Sequence, residues 1–434
     1  MTRTADTLER LLAGDCPDPD GGAPLSVPTK SVVIEKSLAG MEAALIQDLD
    51  LGARLAVVSD PTTHRVLGAQ VESAVASIAG LVSVVLPAHP HADDRVAAQL
   101  AAETERADAL IAVGSGTIND LCKYVSAKAG KPYAVFATAP SMNGYTSVNA
   151  AITARGHKKS LAAQSAAGVF VDLQVFAEAP PRMIRSGLGD SLCRPTAQAD
   201  WLLSHRLLDR PYRQAPFALL SADEGPLFDA PEGLLRGDLA AMDHLARTLL
   251  LSGFGMTICG GSYPASQGEH LISHYIEMLG DPAWPESFHG EQIGVATLTM
   301  ARLQAELLNG TPPTLRASRL DSGDFERRFG RETGASCWRE FAKKRLDDGA
   351  AAALNARLAA DWPAIVEEIA AITIPAERLR DILVKIDAPT KPADLKLPGA
   401  FYRDAVVHAR EIRDRYTFLD LAADSGRFDS GLDI

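Results

Sequence analysis

Cysteine is scarce: Cys16, Cys122, Cys193, Cys259 and Cys337 are the only five in 434 residues. They are odd in number, widely scattered, and never spaced Cys-x-x-Cys. That excludes a disulfide framework and a cysteine zinc site, and it fits a reducing compartment. Positive charge is also short, with 43 Lys and Arg against 55 Asp and Glu, a net charge of -12. Nucleic acid is therefore not expected as a partner, because phosphate backbones need clustered basic residues. No apolar run approaches the roughly 20 residues of a membrane span. The opening stretch MTRTADTLERLLAGDCPDPDGG has no basic start followed by an apolar core, so it is not a signal peptide. It reads as a short amphipathic helix and then a polar turn. Internal repeats and low-complexity segments are missing too. The expectation is a cytoplasmic globular enzyme or binding protein.

What is present begins with an alternation of strands and helices. Apolar runs at Val32–Ile34, Arg54–Ser59, Leu81–Leu86, Ala109–Val113, Tyr133–Ala137 and Gly168–Asp172 read as strands. Between the first four, Ala39–Leu49, Thr63–Ile78 and Asp93–Ala107 carry helical periodicity. Continuous apolar strands separated by helices predict a parallel sheet covered on both faces. From Pro180-Pro181 onward the alternation stops and long Ala/Leu-rich helical patterns take over. This predicts an α/β domain over residues 1–180 and a helical domain over 181–434. Cys337–Leu358 reads there as one helix and Trp362–Ala371 as another.

Three features at strand ends or helix starts can carry chemistry. Gly114-Ser115-Gly116-Thr117 follows an apolar strand and precedes a helix. Such a turn lets backbone N–H groups approach a phosphate, with the helix dipole adding to the attraction, although any tight strand-to-helix turn can use glycine. Thr138 to Ser147 (TAPSMNGYTS) sits at the carboxyl end of the next strand, where open α/β sheets bind ligands; it is also rich in ordinary turn formers. His157-Lys158-Lys159 reads as a hairpin corner or as a contact for a substrate phosphate.

The helical half holds a concentration of histidine. His270 and His274 lie one helical turn apart and so share a face. His289 follows a Pro- and Gly-containing break and lies on a separate segment. Imidazoles from two segments, with a carboxylate from elsewhere, suit a divalent transition metal; an ordinary histidine pair on a surface helix is the plain alternative. Asp190, read as opening a helix, is either an N-cap or that carboxylate. Pro195 within the same helix suggests that the helix is short or kinked there.

Five motifs in order resemble the iron-type alcohol dehydrogenase and dehydroquinate synthase superfamily, and within it the sn-glycerol-1-phosphate dehydrogenases. They are GSGTINDLCKYVS at 114–126, TAPSMNGYTS at 138–147, GLGDSLCRPTAQADWLLS at 187–204, ASQGEHLISH at 265–274 and HGEQIGVATL at 289–298. The resemblance implies a Rossmann-like nucleotide-binding domain, a C-terminal all-α domain, and an active site in the cleft between them. It places Gly114, Ser115, Gly116 and Thr117 on the pyrophosphate of NAD or NADP, and Asp60 near the adenine ribose. It places Asp120, Thr138, Ser141 and Ser147 along the rest of the cofactor. Asp190, His270 and His289 become the ligands of one divalent metal: zinc, or in some relatives nickel or iron. His274 and residue 143 then face the substrate. The family usually reads SMDG where this chain has Ser141-Met142-Asn143-Gly144, so a charge is lost at Asn143. The implied reaction is reversible reduction of dihydroxyacetone phosphate, a small phosphorylated triose, to sn-glycerol 1-phosphate, a step of phospholipid metabolism, by a homo-oligomer (a dimer or larger). The alternatives are a dehydrogenase of glycerol or another small polyol, a dehydroquinate-synthase-like lyase, and a non-catalytic nucleotide-binding relative.

Overall fold

The apolar runs become strands. β1 (Ser31–Glu35), β2 (Arg54–Ser59), β3 (Gly80–Val85), β4 (Ala109–Gly114) and β5 (Tyr133–Ala137) are followed by a hairpin of β6 (Asn149–Ala154) and β7 (His157–Ala162), then by β8 (Gly168–Asp172). Six of them form one sheet in the order β1-β8-β5-β4-β2-β3, and every pairing in it is parallel. β4, β5 and β8 are buried at every residue. Their sequences show no polar alternation because neither face meets water. On one face Val57, Ile111, Phe136 and Phe170 pack against Leu45, Val71 and Val75. The helix Gly116–Ala129 packs on β4 and β5. β3 is different: as an edge strand it leaves Leu81 and Val85 exposed. β6 and β7 form an antiparallel hairpin, with Ala151 opposite Ser160, and the His-Lys-Lys stretch opens β7 rather than forming the hairpin's corner.

The computed structural model describes residues 6–154 and 157–430; the first five residues of the expected N-terminal helix lie outside that range. The chain forms two compact units, one of Met1–Ser191 with Gln214–Ser262, the other of Leu192–Arg213 with Tyr263–Ile434. In the first unit, the sheet is joined by the helices Pro181–Ser191 and Leu239–Ile258. The short helix Thr7–Ala13, closed by a capping box between Asp6 and Glu9, buries Leu8 and Leu11 in a cluster with Leu251 and Phe254.

The second unit is helical throughout its described residues. Its core gathers Leu203, Ile272, Tyr275, Met300, Phe325, Phe341, Ile365 and Phe418. The expected single helix over Cys337–Leu358 is corrected here. One helix, Arg331–Phe341, ends early, and the next, Asp348–Ala370, starts where the Asp347 side chain accepts the Ala350 N–H at 2.8 Å. That second helix absorbs the stretch expected separately at Trp362–Ala371. Pro195 causes no kink: it is the second residue of the helix Arg194–Leu208, where it breaks no intrahelical hydrogen bond. Among the described residues no helix is long and apolar enough to cross a membrane.

Candidate active site

In the first unit, the nucleotide-motif residues collect at the carboxyl ends of neighbouring strands. β4 ends at Gly114, and the helix Gly116–Ala129 begins two residues later. Ser115 stands at the N-cap without a side-chain cap. The first-turn N–H groups of a 14-residue helix therefore keep their pull on an anion. Thr138, just past β5, donates its N–H to the Gly114 carbonyl at 3.2 Å, which ties the two strand ends together. Asp60 lies just past β2, and one carboxylate oxygen accepts both the Thr62 and Thr63 N–H groups at 2.8 Å. A capping duty thus fixes the orientation of this carboxylate. Asp120 accepts the Ala151 N–H at 3.0 Å and stands 3.7 Å from the Lys123 ammonium. Ser147 is buried and takes a hydrogen bond from that ammonium at 3.1 Å.

The loop after β5 is clamped between two helices of the same unit. A Cβ on Gly187 would sit 1.7 Å from the Pro140 carbonyl oxygen, and one on Gly253 would sit 2.1 Å from Thr146 Oγ1 and 2.6 Å from the Asn143 carbonyl oxygen. Only glycine allows these approaches. Hydrogen bonds complete the clamp. Ser186 Oγ donates to the Ser141 carbonyl at 3.2 Å, Asn143 Nδ2 to Ser252 Oγ at 3.3 Å, and Thr146 Oγ1 to the Leu250 carbonyl at 2.6 Å. Asp190 belongs to this arrangement. It does not open a helix, as local reading suggested, but lies in the last turn of Pro181–Ser191, where it is buried and accepts the Asn143 backbone N–H at 3.0 Å. A carboxylate there meets the negative end of the helix dipole, so it is not a cap.

In the second unit, the helix Gly268–Leu279 carries His270 and His274, and His289 is the first residue of His289–Leu308. The ring centroids of His270 and His289 are 5.1 Å apart, those of His270 and His274 6.1 Å, and those of His274 and His289 6.3 Å. A ring nitrogen of His270 lies within 4.8 Å of one of His289. His270 Nδ1 pairs with Glu269 Oε1 at 2.9 Å; His289 Nδ1 lies 3.5 Å from Ser273 Oγ and 3.8 Å from Glu277 Oε1. With each Nδ1 so engaged, Nε2 is the nitrogen a metal would take, which is the usual outer-shell arrangement of a histidine ligand. Burial is the largest influence on the Glu269 carboxyl and pushes it up, but the hydrogen bond and charge of His270 and the backbone N–H groups of Gln267 and Glu269 together outweigh it, and the net shift is down. Burial, and next the charge of Arg413, hold the His274 ring well below 6.5, so it is neutral at neutral pH. Its Nδ1 is buried with no hydrogen-bond partner among the described residues. These two imidazoles and their carboxylate support fit a divalent transition metal.

Glu269 was missed by sequence reading, though it stands beside His270 in the motif. Cys193, Glu269 and His270 also bring ligand atoms within 4.8 Å of one another. Glu269 Oε1, however, already accepts the Gln267 N–H at 2.8 Å as well as His270, so it orients the ring rather than competing for a metal. Lys123 was missed as well. It is fully buried and binds the carbonyls of Gly144 and Asn149 together with Ser147.

Residues 33–180 match the family model of iron-containing alcohol dehydrogenase. A relative from Geobacillus stearothermophilus, named glycerol-1-phosphate dehydrogenase, NAD(P)+, is 31% identical over 380 residues, which span 84% of this chain and 85% of the relative. The chain belongs to the glycerol-1-phosphate dehydrogenase family, within the iron-containing alcohol dehydrogenases. A second family relative, from Pyrococcus horikoshii, is 34% identical over 277 residues, covering 63% of this chain and 78% of its own. Among solved structures, glycerol dehydrogenase from Schizosaccharomyces pombe superposes with a TM-score of 0.62 over 93% of this chain and 89% of that one, at 16% identity. That likeness concerns the fold, a Rossmann-like sheet domain followed by helices.

Proposed function

We propose that this chain reduces dihydroxyacetone phosphate to sn-glycerol 1-phosphate, reversibly, with NAD or NADP. The observation that carries this reading is the family relationship at 31% identity across 84% of the chain, with the nucleotide turn and all three histidines in place. When bound, the metal supplies Lewis-acid polarisation of the ketone and the nicotinamide supplies the hydride. His270, His289 and Asp190 would hold that metal; two imidazoles and a carboxylate suit zinc first, with nickel and iron also compatible. The N–H groups of Gly114, Ser115, Gly116 and Thr117 bind the cofactor pyrophosphate, and Asp60 meets the adenine ribose. Asp120, Thr138, Ser141 and Ser147 shape the nicotinamide side. Neutral His274 donates a ring N–H to a substrate oxygen, and water delivers the proton. The Asn143 amide, held by Ser252, offers a neutral contact to a substrate hydroxyl.

That neutral contact also favours a second reading, a dehydrogenase of glycerol or a related small polyol. One assay separates the two. Metal-reconstituted protein is mixed with dihydroxyacetone phosphate and NADH or NADPH, and the product's chirality is determined. Cofactor oxidation yielding the sn-1 product is expected; turnover of unphosphorylated polyols alone would replace the first reading by the second. The exposed Leu81 and Val85 on edge strand β3 support a homo-oligomer, a dimer or larger. Five free cysteines support a cytoplasmic setting.

A further inference from the structure

The second unit has a cationic corner that the metal and the cofactor do not use. After the 3-10 turn Ala409–Ile412 the chain carries Arg413 and Arg415. That turn packs on the helix Gly268–Leu279, which bears His270 and His274. The Arg415 guanidinium lies 5.0 Å over the Tyr263 ring and donates to the Ser266 carbonyl, so it is anchored at the entry to the same helix. Arg413 differs from the cations around it. Arg410 pairs with Asp424 at 3.0 Å and Asp420 at 3.4 Å, and Lys344 pairs with Asp420 at 2.8 Å. The half-buried Arg413 side chain has neither a hydrogen bond nor an ion pair among the described residues; Asp414 and Glu340 act on it only at longer range. The two guanidiniums also repel. Burial lowers Arg415 to about 10, and the charge of Arg413 is the next cause. Arg413 acts in the same sense on His274.

A half-buried cation without a partner, beside a second cation, is costly unless an anion completes it. A guanidinium fork matches a phosphate monoester oxygen for oxygen. We propose that Arg413, backed by Arg415, binds the phosphate group of the substrate and so sets the preference for a phosphorylated ketone. This rests on the proposed reduction of dihydroxyacetone phosphate. In the first unit, Lys159 on β7 is exposed and gives its charge to solvent instead.

The test compares kcat/KM for dihydroxyacetone phosphate and for dihydroxyacetone in wild type, Arg413→Gln and Arg413→Lys. Wild type should prefer the phosphorylated ketone. R413Q should reduce that preference at least about 100-fold, mainly through KM, and R413K should recover part of it. Inorganic phosphate should raise the melting temperature of wild type and not of R413Q, a readout independent of turnover. If R413Q does not fold, R413K must still weaken the phosphate protection. An unchanged preference in R413Q, or a rise confined to the KM for NAD(P)H, overturns the assignment and in the latter case gives Arg413 to the cofactor's phosphates. Wild type that does not distinguish the two ketones overturns the functional reading first.

Discussion

The backbone N–H of Asn143 donates to Asp190 Oδ2 at 3.0 Å. One carboxylate therefore fixes the loop after β5, and the same residue is the proposed metal ligand. The two duties can be separated. Asp190→Ala leaves a half-buried N–H without its acceptor and should cost about 1–3 kcal/mol of stability. Asp190→Asn keeps an acceptor oxygen, so its urea midpoint should stay near wild type, while bound metal after dialysis falls sharply. An Asp190→Asn protein that retains its metal in full would remove Asp190 from the ligand set.

Gly253 tests the clamp from its other side. A methyl group there meets Thr146 Oγ1 at 2.1 Å and the Asn143 carbonyl at 2.6 Å. Gly253→Ala should force the loop and helix apart, with a loss of more than about 2 kcal/mol and of most activity. Gly399, the first residue of the helix Gly399–His408, has no atom beyond its chain neighbours and its own helix backbone within 4 Å of the methyl that alanine would add, so Gly399→Ala should be neutral or stabilise by about 0.5–1 kcal/mol. Equal thermal melts for the two variants would show that the loop is not clamped as described.

The sheet was legible because β4 and β5 are apolar along their whole length, and β2 and β8 at all but their end residues, a pattern that double-sided burial produces. The helical unit was harder. Phe341 and Asp348 end and start separate helices because Asp347 caps the second, and an Ala-rich run hides such a break. The helix Ser322–Phe329 buries only Phe325 and Phe329, and Phe418–Asp424 is buried at nearly every residue, so neither shows a helical period. At the site, the order of motifs located the nucleotide turn and the histidines. Asp190 was misread as a helix start because the turn at Leu192-Cys193, which ends its helix, has no proline or glycine. Gly187 and Gly253 act through partners distant in sequence. Arg413 stands out only once its neighbours are seen to be paired.

Lys123 looks like a surface lysine on an amphipathic helix and is fully buried instead. Burial lowers its pKa below 10.5, and Asp120 at 3.7 Å opposes that shift. Its ammonium binds Gly144, Ser147 and Asn149, so it joins the nucleotide-motif helix to the loop that holds Asn143. Lys123→Met leaves those acceptors and Asp120 uncompensated. A loss of about 3–5 kcal/mol is expected in urea unfolding, with a raised KM for NAD(P)H in whatever folds. An unchanged unfolding midpoint would refute the structural role.

The buried cluster of Lys344, Arg410, Asp420 and Asp424 gives a pH signature. Burial raises the Asp424 carboxyl from 3.8 to about 6, with Arg410 at 3.0 Å opposing the shift. A raised folded pKa means that the folded chain holds this proton more tightly than the unfolded chain. Between about pH 4 and 6 the folded state therefore carries more protons, and this group's contribution to stability falls as pH rises through that window, then levels off. The shift amounts to about 3 kcal/mol at most. Asp424→Asn has no proton to release, so it should lack the slope. Urea unfolding of both proteins at pH 4.5 and pH 7.5 should show the difference between them moving in the variant's favour by about 1–3 kcal/mol at the higher pH. A difference that does not change with pH would mean that Asp424 stays ionised throughout, its charge met by Arg410.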